Sequence, residues 1–234
     1  MWFVYFTSFI ILVHLGWPYW RKAYQLKRWQ HAYNLKNHYP VFTEIVEPFD
    51  GFSLSRIARM QNDAMEYTYG EIEFTSFIAL LASTAPHSKT HFYDLGSGSG
   101  KAVLASAMVF DMHCYCGVEL FKELHNAALA QKNLLQQRSA YKKRANKIHF
   151  IHNNFLNIDL RQATLIFINA TALIGPTWDL LNQKLSEESN ENMIIITTSK
   201  ALKSSTFIIT KTTKVMMSWG IVDAYIHRVQ RASH

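Results

Sequence analysis

The sequence predicts an α/β protein, a doubly wound and mostly parallel sheet closed by a terminal antiparallel hairpin. Three observations carry that prediction. Residues 91–95 have strand character and run through Gly96, Gly98 and Gly100 directly into the helix-forming stretch 101–109. Short apolar runs then recur at 114–118, 148–151, 163–168 and 193–198, separated by helical patterns, as buried parallel strands and their crossovers are. Finally, residues 207–209 and 214–217 alternate apolar with polar side chains, and Gly220 turns into 222–229 as a hairpin partner.

The bulk numbers set the frame. With 234 residues and 49% hydrophobic content the chain has room for one α/β domain and an appendage. A charged content of 18% is low and points to an apolar segment. The net charge of +7 suits an acidic partner or surface; lipid headgroups, nucleic acid and an acidic protein face all fit. Cys114 and Cys116 cannot build a disulfide framework, and their alternation on a predicted strand reads as buried thiols in a reducing compartment. The eleven histidines lack H-x-x-x-H or paired-cysteine spacing, so no metal site is expected.

Residues 1–20 contain no charge and fifteen apolar side chains, the length of one helical bilayer crossing. Trp2, Trp17, Tyr19 and Trp20 sit near its ends, and Arg21, Lys22, Lys27 and Arg28 follow. The expectation is a single-pass membrane anchor with the rest of the chain in the cytoplasm. A cleaved signal peptide lacks its basic n-region and small-x-small site here, and an amphipathic helix packed on the domain is the other alternative. Residues 21–65 form the lead-in: a helix over 24–39 with a polybasic side, a connector bracketed by Pro40 and Pro48, and a helical stretch over 53–65. The main domain is expected over 66–234.

Tyr69, Gly70 and Glu71 precede a helix over 75–83, just upstream of the first core strand. Aromatic, glycine and acid together suit a segment that folds over a ligand, or else a capped turn before the helix. Next comes Asp94-Leu95-Gly96-Ser97-Gly98-Ser99-Gly100-Lys101. A dinucleotide fingerprint would need glycine where Lys101 stands. A P-loop would need glycine at Leu95 and a hydroxyl at Ala102. What remains is D-x-G-x-G-x-G with a second acid, Glu119, at the end of the next strand, placed to take the ribose hydroxyls of a bound nucleoside.

Beyond Glu119, residues 122–141 read as a long helix and 142–147 as a basic loop. The third strand, 148–151, leads to Asn154 and Phe155. The fourth, 163–168, ends at Asn169, and chemistry in open α/β sheets collects outside such strand ends. Pro176 and Trp178 open a helix down to Ser186.

The glycine loop with its two acids resembles class I methyltransferases, which bind S-adenosylmethionine this way. The ordered set Tyr69-Gly70-Glu71, Asp94 to Gly100, Gly117-Val118-Glu119, Asn154-Phe155-Leu156, Ile166 to Asn169, Ser218-Trp219 and Tyr225-Ile226-His227 is more specific. It resembles the non-SET histone lysine methyltransferases, the disruptor-of-telomeric-silencing family, over roughly residues 67–229. The resemblance implies a cofactor held by Tyr69, Glu71, Asp94, Gly96, Gly98, Glu119, Asn154 and Phe155. It also implies that Asn169 lies where the methyl group meets the substrate amine and orients it through a side-chain or backbone carbonyl. Two departures stand out: Asn154 replaces an aspartate, and Ala170-Thr171-Ala172-Leu173 replaces an aromatic run beside the lysine channel.

The expected function is therefore a membrane-anchored, S-adenosylmethionine-dependent methyltransferase acting on a lysine amine of a protein, with nucleic acid not required. Methylation of a small molecule or lipid headgroup, and cofactor binding without catalysis, are the alternatives. Methyl transfer to an amine is an in-line displacement in which alignment can supply about 7–11 kcal/mol of the barrier. The amine must arrive neutral, and a low-dielectric channel helps without a strong base.

Overall fold

The computed structural model describes residues 20–60 and 69–230. The expected membrane helix over residues 1–20 falls, apart from Trp20, outside them. Among the described residues no helix is long and apolar enough to cross a membrane. The chain divides into two compact units, residues 1–40 and 41–234.

Helix α1 occupies the described residues 20–32, and Trp29 packs on Tyr33 with ring centroids 5.6 Å apart. Helix α2 follows over Leu35–Val46 with Pro40 inside it. The sequence reading places Pro40 at the edge of a connector; the helix instead runs through it. The cost is one intrahelical hydrogen bond, because proline has no N–H to donate.

Helix α3 covers Gly51–Arg59 and starts where it does because the Asp50 carboxylate accepts the N–H groups of Phe52 and Ser53 at 3.1 and 3.2 Å. Helix α4, Phe74–Ala82, is capped in the same way by Glu73, which accepts the Ser76 N–H at 3.1 Å. The doubly wound part then alternates strand and helix except between β3 and β4, which a 3₁₀ turn connects. Strand β1 (His91–Leu95) leads to α5 (Lys101–Val109), β2 (Cys114–Glu119) to α6 (Lys122–Gln136), and β3 (Ile148–His152) to β4 (Leu165–Ile168). Between α6 and β3 lies a single helical turn, α7 (Lys142–Ala145), where the sequence suggests a loop. Helix α8 (Gly175–Glu187) and β5 (Ile194–Thr198) complete the parallel part. Strands β6 (Phe207–Met217) and β7 (Gly220–Val229) form the closing hairpin.

The seven strands lie in the order β3-β2-β1-β4-β5-β7-β6. β1 to β5 are parallel, and β7 pairs antiparallel with both β5 and β6. The chain moves from β1 outward to β2 on one side and returns to β4 on the other. Their carboxyl-end connections therefore diverge, and that divergence opens a crevice. Because β6 runs parallel to β5, the tip of the hairpin stands at the same end of the sheet.

Both faces of the sheet are covered. Trp178, Leu181 and Leu185 of α8 join Leu95, Ile166, Ile168 and Ile195 in one apolar cluster. Elsewhere Phe77 of α4 meets Phe92 and Phe167 at centroid distances of 6.4 and 5.2 Å. Each such side chain taken from water stabilises the fold by about 1.5–3 kcal/mol. This rigid frame fixes where the strand ends point.

Candidate functional site

The crevice between β1 and β4 is lined by all nine residues singled out from the sequence. Asp94, Gly96 and Gly98 come from β1 and its turn, Glu119 from the end of β2, and Asn154 and Phe155 from the segment after β3. Asn169 ends β4, and Tyr69 and Glu71 belong to the segment before α4. The parallel register sets Asp94 beside Gly117 and Leu95 beside Ile168, and so brings the ends of β2 and β4, with Glu119 and Asn169, to either side of the glycine turn.

The glycine turn is held by its own backbone. The N–H groups of Gly96 and Ser97 both donate to the Val118 carbonyl, at 2.9 and 3.0 Å. Gly96 has φ +82°, a left-handed conformation that L side chains adopt only at a cost. A Cβ placed on it would meet nothing within 4 Å, because it would point into the open crevice. The Gly98 N–H donates to Glu119 Oε2 at 2.7 Å, and the Phe121 N–H donates to Oε1 at 2.9 Å.

Those two bonds govern the acids. Burial pushes the Glu119 carboxyl upward, and the N–H groups of Phe121, Gly98 and Leu120 pull against that rise. Asp94 has no such help: among the described residues no donor reaches its carboxyl. Burial first, and the neighbouring Glu119 charge second, push it up to about 8. Near neutral pH this carboxyl therefore holds a proton that a cation in the crevice would displace.

Residues 69–73 form a strap across the crevice. The Tyr69 hydroxyl donates to Glu71 Oε1 at 2.7 Å and meets Ser99 Oγ at 3.0 Å. Its phenol is raised well above the ordinary tyrosine range by burial and by the Glu71 charge, so it stays a donor. Lys101 Nζ forms an ion pair with Glu71 Oε2 at 2.7 Å. On its other side the strap pairs with the hairpin. Ile72 makes an isolated antiparallel bridge to Met217, and the Ser218 N–H donates to the Glu71 carbonyl at 2.8 Å. A Cβ on Gly70 would lie 1.8 Å from the Trp219 ring, so a larger residue there would force the ring or the strap to move.

Asn169 is the third fastening. Its Nδ2 donates to the Gly70 carbonyl at 3.0 Å. Its Oδ1 accepts from the hydroxyls of Thr171 and Thr198 at 2.9 and 2.8 Å, and more weakly from the Thr171 N–H at 3.4 Å. The side-chain carbonyl is thus already engaged, which leaves the backbone carbonyl as the freer of the two routes expected for orienting a substrate. Asn154 is likewise committed in part: its Oδ1 accepts the Leu156 N–H at 2.9 Å and so opens a short 3₁₀ turn, Phe155–Asn157. One lone pair of that oxygen remains for a donor.

Sequence reasoning passes over Lys101, the one cation among the described residues of the crevice lining, and Phe121, whose N–H donates to Glu119. Lys101 figures in the sequence only as a mismatch to two nucleotide motifs. Its place at the first turn of α5, directly behind the glycine turn, is the signal that could have found it.

Phe167, Ala172, Leu173 and Thr177 line the crevice together with Asn169, and Glu71, Asp94 and Glu119 are the acids among the described lining residues.

Residues 57–226 match the model of a protein family described as histone methylation protein DOT1. No curated protein matches the chain. Among solved structures, an RNA methyltransferase from Salinibacter ruber in complex with S-adenosyl-L-homocysteine is similar at TM-score 0.51 and 16% identity, over 69% of this chain and 92% of that one. A mutant of MtNAS in complex with S-adenosylmethionine is similar at TM-score 0.52 and 11% identity, over 77% of this chain and 74% of that one. At these identities the likeness is one of fold, the class I methyltransferase fold.

Proposed function

This chain belongs to the DOT1 histone-methylation family of class I S-adenosylmethionine-dependent methyltransferases, and we propose on that footing that it methylates a lysine side-chain amine of a protein partner. The residues present suit the cofactor. An open position at Gly96 leaves room for a ligand against the backbone, and the buried, donor-less Asp94 faces into the crevice as a counter-charge for a cation. Glu119 would take the ribose hydroxyls, and Asn154 and Phe155 the base. Tyr69, Glu71 and Lys101 would hold the amino-acid end, Lys101 meeting its carboxylate and Glu71 its ammonium. When bound, S-adenosylmethionine supplies an electrophilic methyl group on a sulfonium.

The observation that carries the choice of acceptor is the set of uncharged side chains, Phe167, Ala172, Leu173 and Thr177, that line the crevice with Asn169. An amine entering past them would leave water for a largely apolar surround. Desolvation therefore favours loss of its proton to solvent before reaction, and the neutral nitrogen is the nucleophile. The strap would exclude water, and the Asn169 backbone carbonyl would accept a hydrogen bond from the nitrogen. Residues 1–20, uncharged and followed by Arg21, Lys22, Lys27 and Arg28, would anchor the enzyme in a membrane with residues 66–234 as the catalytic domain on the cytoplasmic side.

Two measurements test this on the full chain. Calorimetric titration should show binding of S-adenosylmethionine and none of NAD, with binding lost in Glu119→Ala. Transfer of labelled methyl to a protein fraction, followed by acid hydrolysis, should yield methyl-lysine. Label appearing instead in lipid or in small molecules would overturn the lysine assignment, and a folded chain without cofactor binding would overturn the enzyme.

A further inference from the structure

The amide of Asn169 can be oriented without ambiguity. The Gly70 carbonyl can only accept, so the group 3.0 Å from it must be the NH₂. The Asn169 carbonyl then faces Thr171 and Thr198, whose hydroxyls must donate. Thr171 spends its single hydroxyl proton on Asn169, so Ser199, 2.7 Å away, donates to Thr171 in turn. Thr198 is completely buried at the end of β5, with no water to substitute for it, and Ser199 beside it holds φ +65°. A left-handed serine is not adopted freely, and here it faces the hydroxyl of Thr171.

We propose that Thr198 is a positioning residue: its hydroxyl sets the Asn169 amide, and through it holds the strap at Gly70 over the crevice. The chain of contacts runs from β5 to β4 to the strap and on, through Tyr69 and Glu71, to Ser99 and Lys101 of the glycine turn. The cavity lining among the described residues does not include Thr198. Its influence on ligand retention is indirect, and that part rests on the cofactor reading above; its influence on the strap does not.

The test is hydrogen exchange on the full chain, read at the Glu71 and Glu73 amides, which donate to Ser218 Oγ at 3.2 Å and to the Met216 carbonyl at 3.0 Å. In Thr198→Val these amides should exchange about tenfold faster, the equivalent of roughly 1.4 kcal/mol, while β1 and β4 stay protected. The affinity for S-adenosylhomocysteine, the probe used, should fall by a similar factor. Thr198→Ser, which keeps the hydroxyl and loses the methyl, should restore both. Asn169→Asp, which cannot donate to Gly70, should loosen the strap as Thr198→Val does. It decides the matter if Thr198→Val unfolds the whole chain: a strap that stays protected in Asn169→Asp overturns the proposal. Unchanged exchange in Thr198→Val, or failure of serine to restore it, overturns it too. A wild-type chain that does not bind the probe but shows the strap effects removes the cofactor reading and leaves the positioning role standing.

Discussion

Lys101 places its ammonium 2.7 Å from the Glu71 carboxylate, and the pair joins the glycine turn to the strap that crosses it. Both side chains are about one-fifth exposed, so the attraction is only partly screened by solvent. In Lys101→Met the strap loses its tie to α5 and the crevice loses the one cation among its described lining residues. S-adenosylmethionine affinity should drop about tenfold, in line with roughly 1–2 kcal/mol for a partly buried pair. Calorimetry in low and high salt checks it: the wild-type chain should show the steeper salt dependence.

Asp94 gives a pH signature. Its folded-state carboxyl is raised to about 8 from an ordinary value of 3.8. For an acid raised on folding, the folded state binds the extra proton between those two values, so stability is greatest below about 4 and declines as pH rises toward 8. Asp94→Asn removes this decline. Urea unfolding at pH 5 and pH 8 should show the variant gaining on the wild-type chain at the higher pH, by an amount on the order of a few kcal/mol.

The same group should couple cofactor binding to protons. A cation entering beside Asp94 lowers its carboxyl and expels the proton. Below about pH 8 the wild-type chain should therefore release a proton on binding S-adenosylmethionine, and affinity should rise with pH until that point. Binding enthalpies measured in buffers of different ionisation enthalpy read the released proton directly, and Asp94→Asn should release none.

Gly70→Ala should detach the strap. The new methyl would lie 1.8 Å from Trp219, so either the ring or the strap must move. Overpacking of this kind costs about 1–3 kcal/mol. Cofactor affinity should fall with stability, and a second change, Trp219→Ala, should recover part of the loss because it removes the clashing ring.

Gly96→Ala separates space from strain. Nothing lies within 4 Å of the added Cβ, so the fold should survive. The left-handed backbone should cost about 1–2 kcal/mol, read as a small drop in thermal midpoint. Cofactor binding should be lost outright, since the methyl occupies the crevice.

The sheet and the glycine turn were legible because their signals are local. A strand, three spaced glycines and a helix occupy adjacent positions, and Glu119 follows one crossover later, at the strand end that a parallel sheet brings beside the glycine turn. Asn169 was legible because it ends an apolar strand, and Asn154 only through the resemblance to methyltransferases. What joins these residues was not. The Asn169–Gly70 bond spans 99 positions and the Gly70–Trp219 contact still more, and no periodicity links such partners. Thr198 is invisible for a related reason: it is one polar residue at the end of an apolar strand, and only the neighbouring β4 end gives its hydroxyl a purpose. Pro40 misleads in the opposite direction, since its local signal is strong and the helix overrides it.

The strap precedes the first core strand, yet its partners Met216, Met217, Ser218 and Trp219 arrive almost 150 positions later in translation. A nascent chain can therefore lay down β1 to β5 with the strap fastened only on its inner side, to Ser99, Lys101 and Asn169. The outer fastening has to wait for the hairpin, so a chain that stalls before residue 216 carries the acids, the glycines and a strap with nothing behind it.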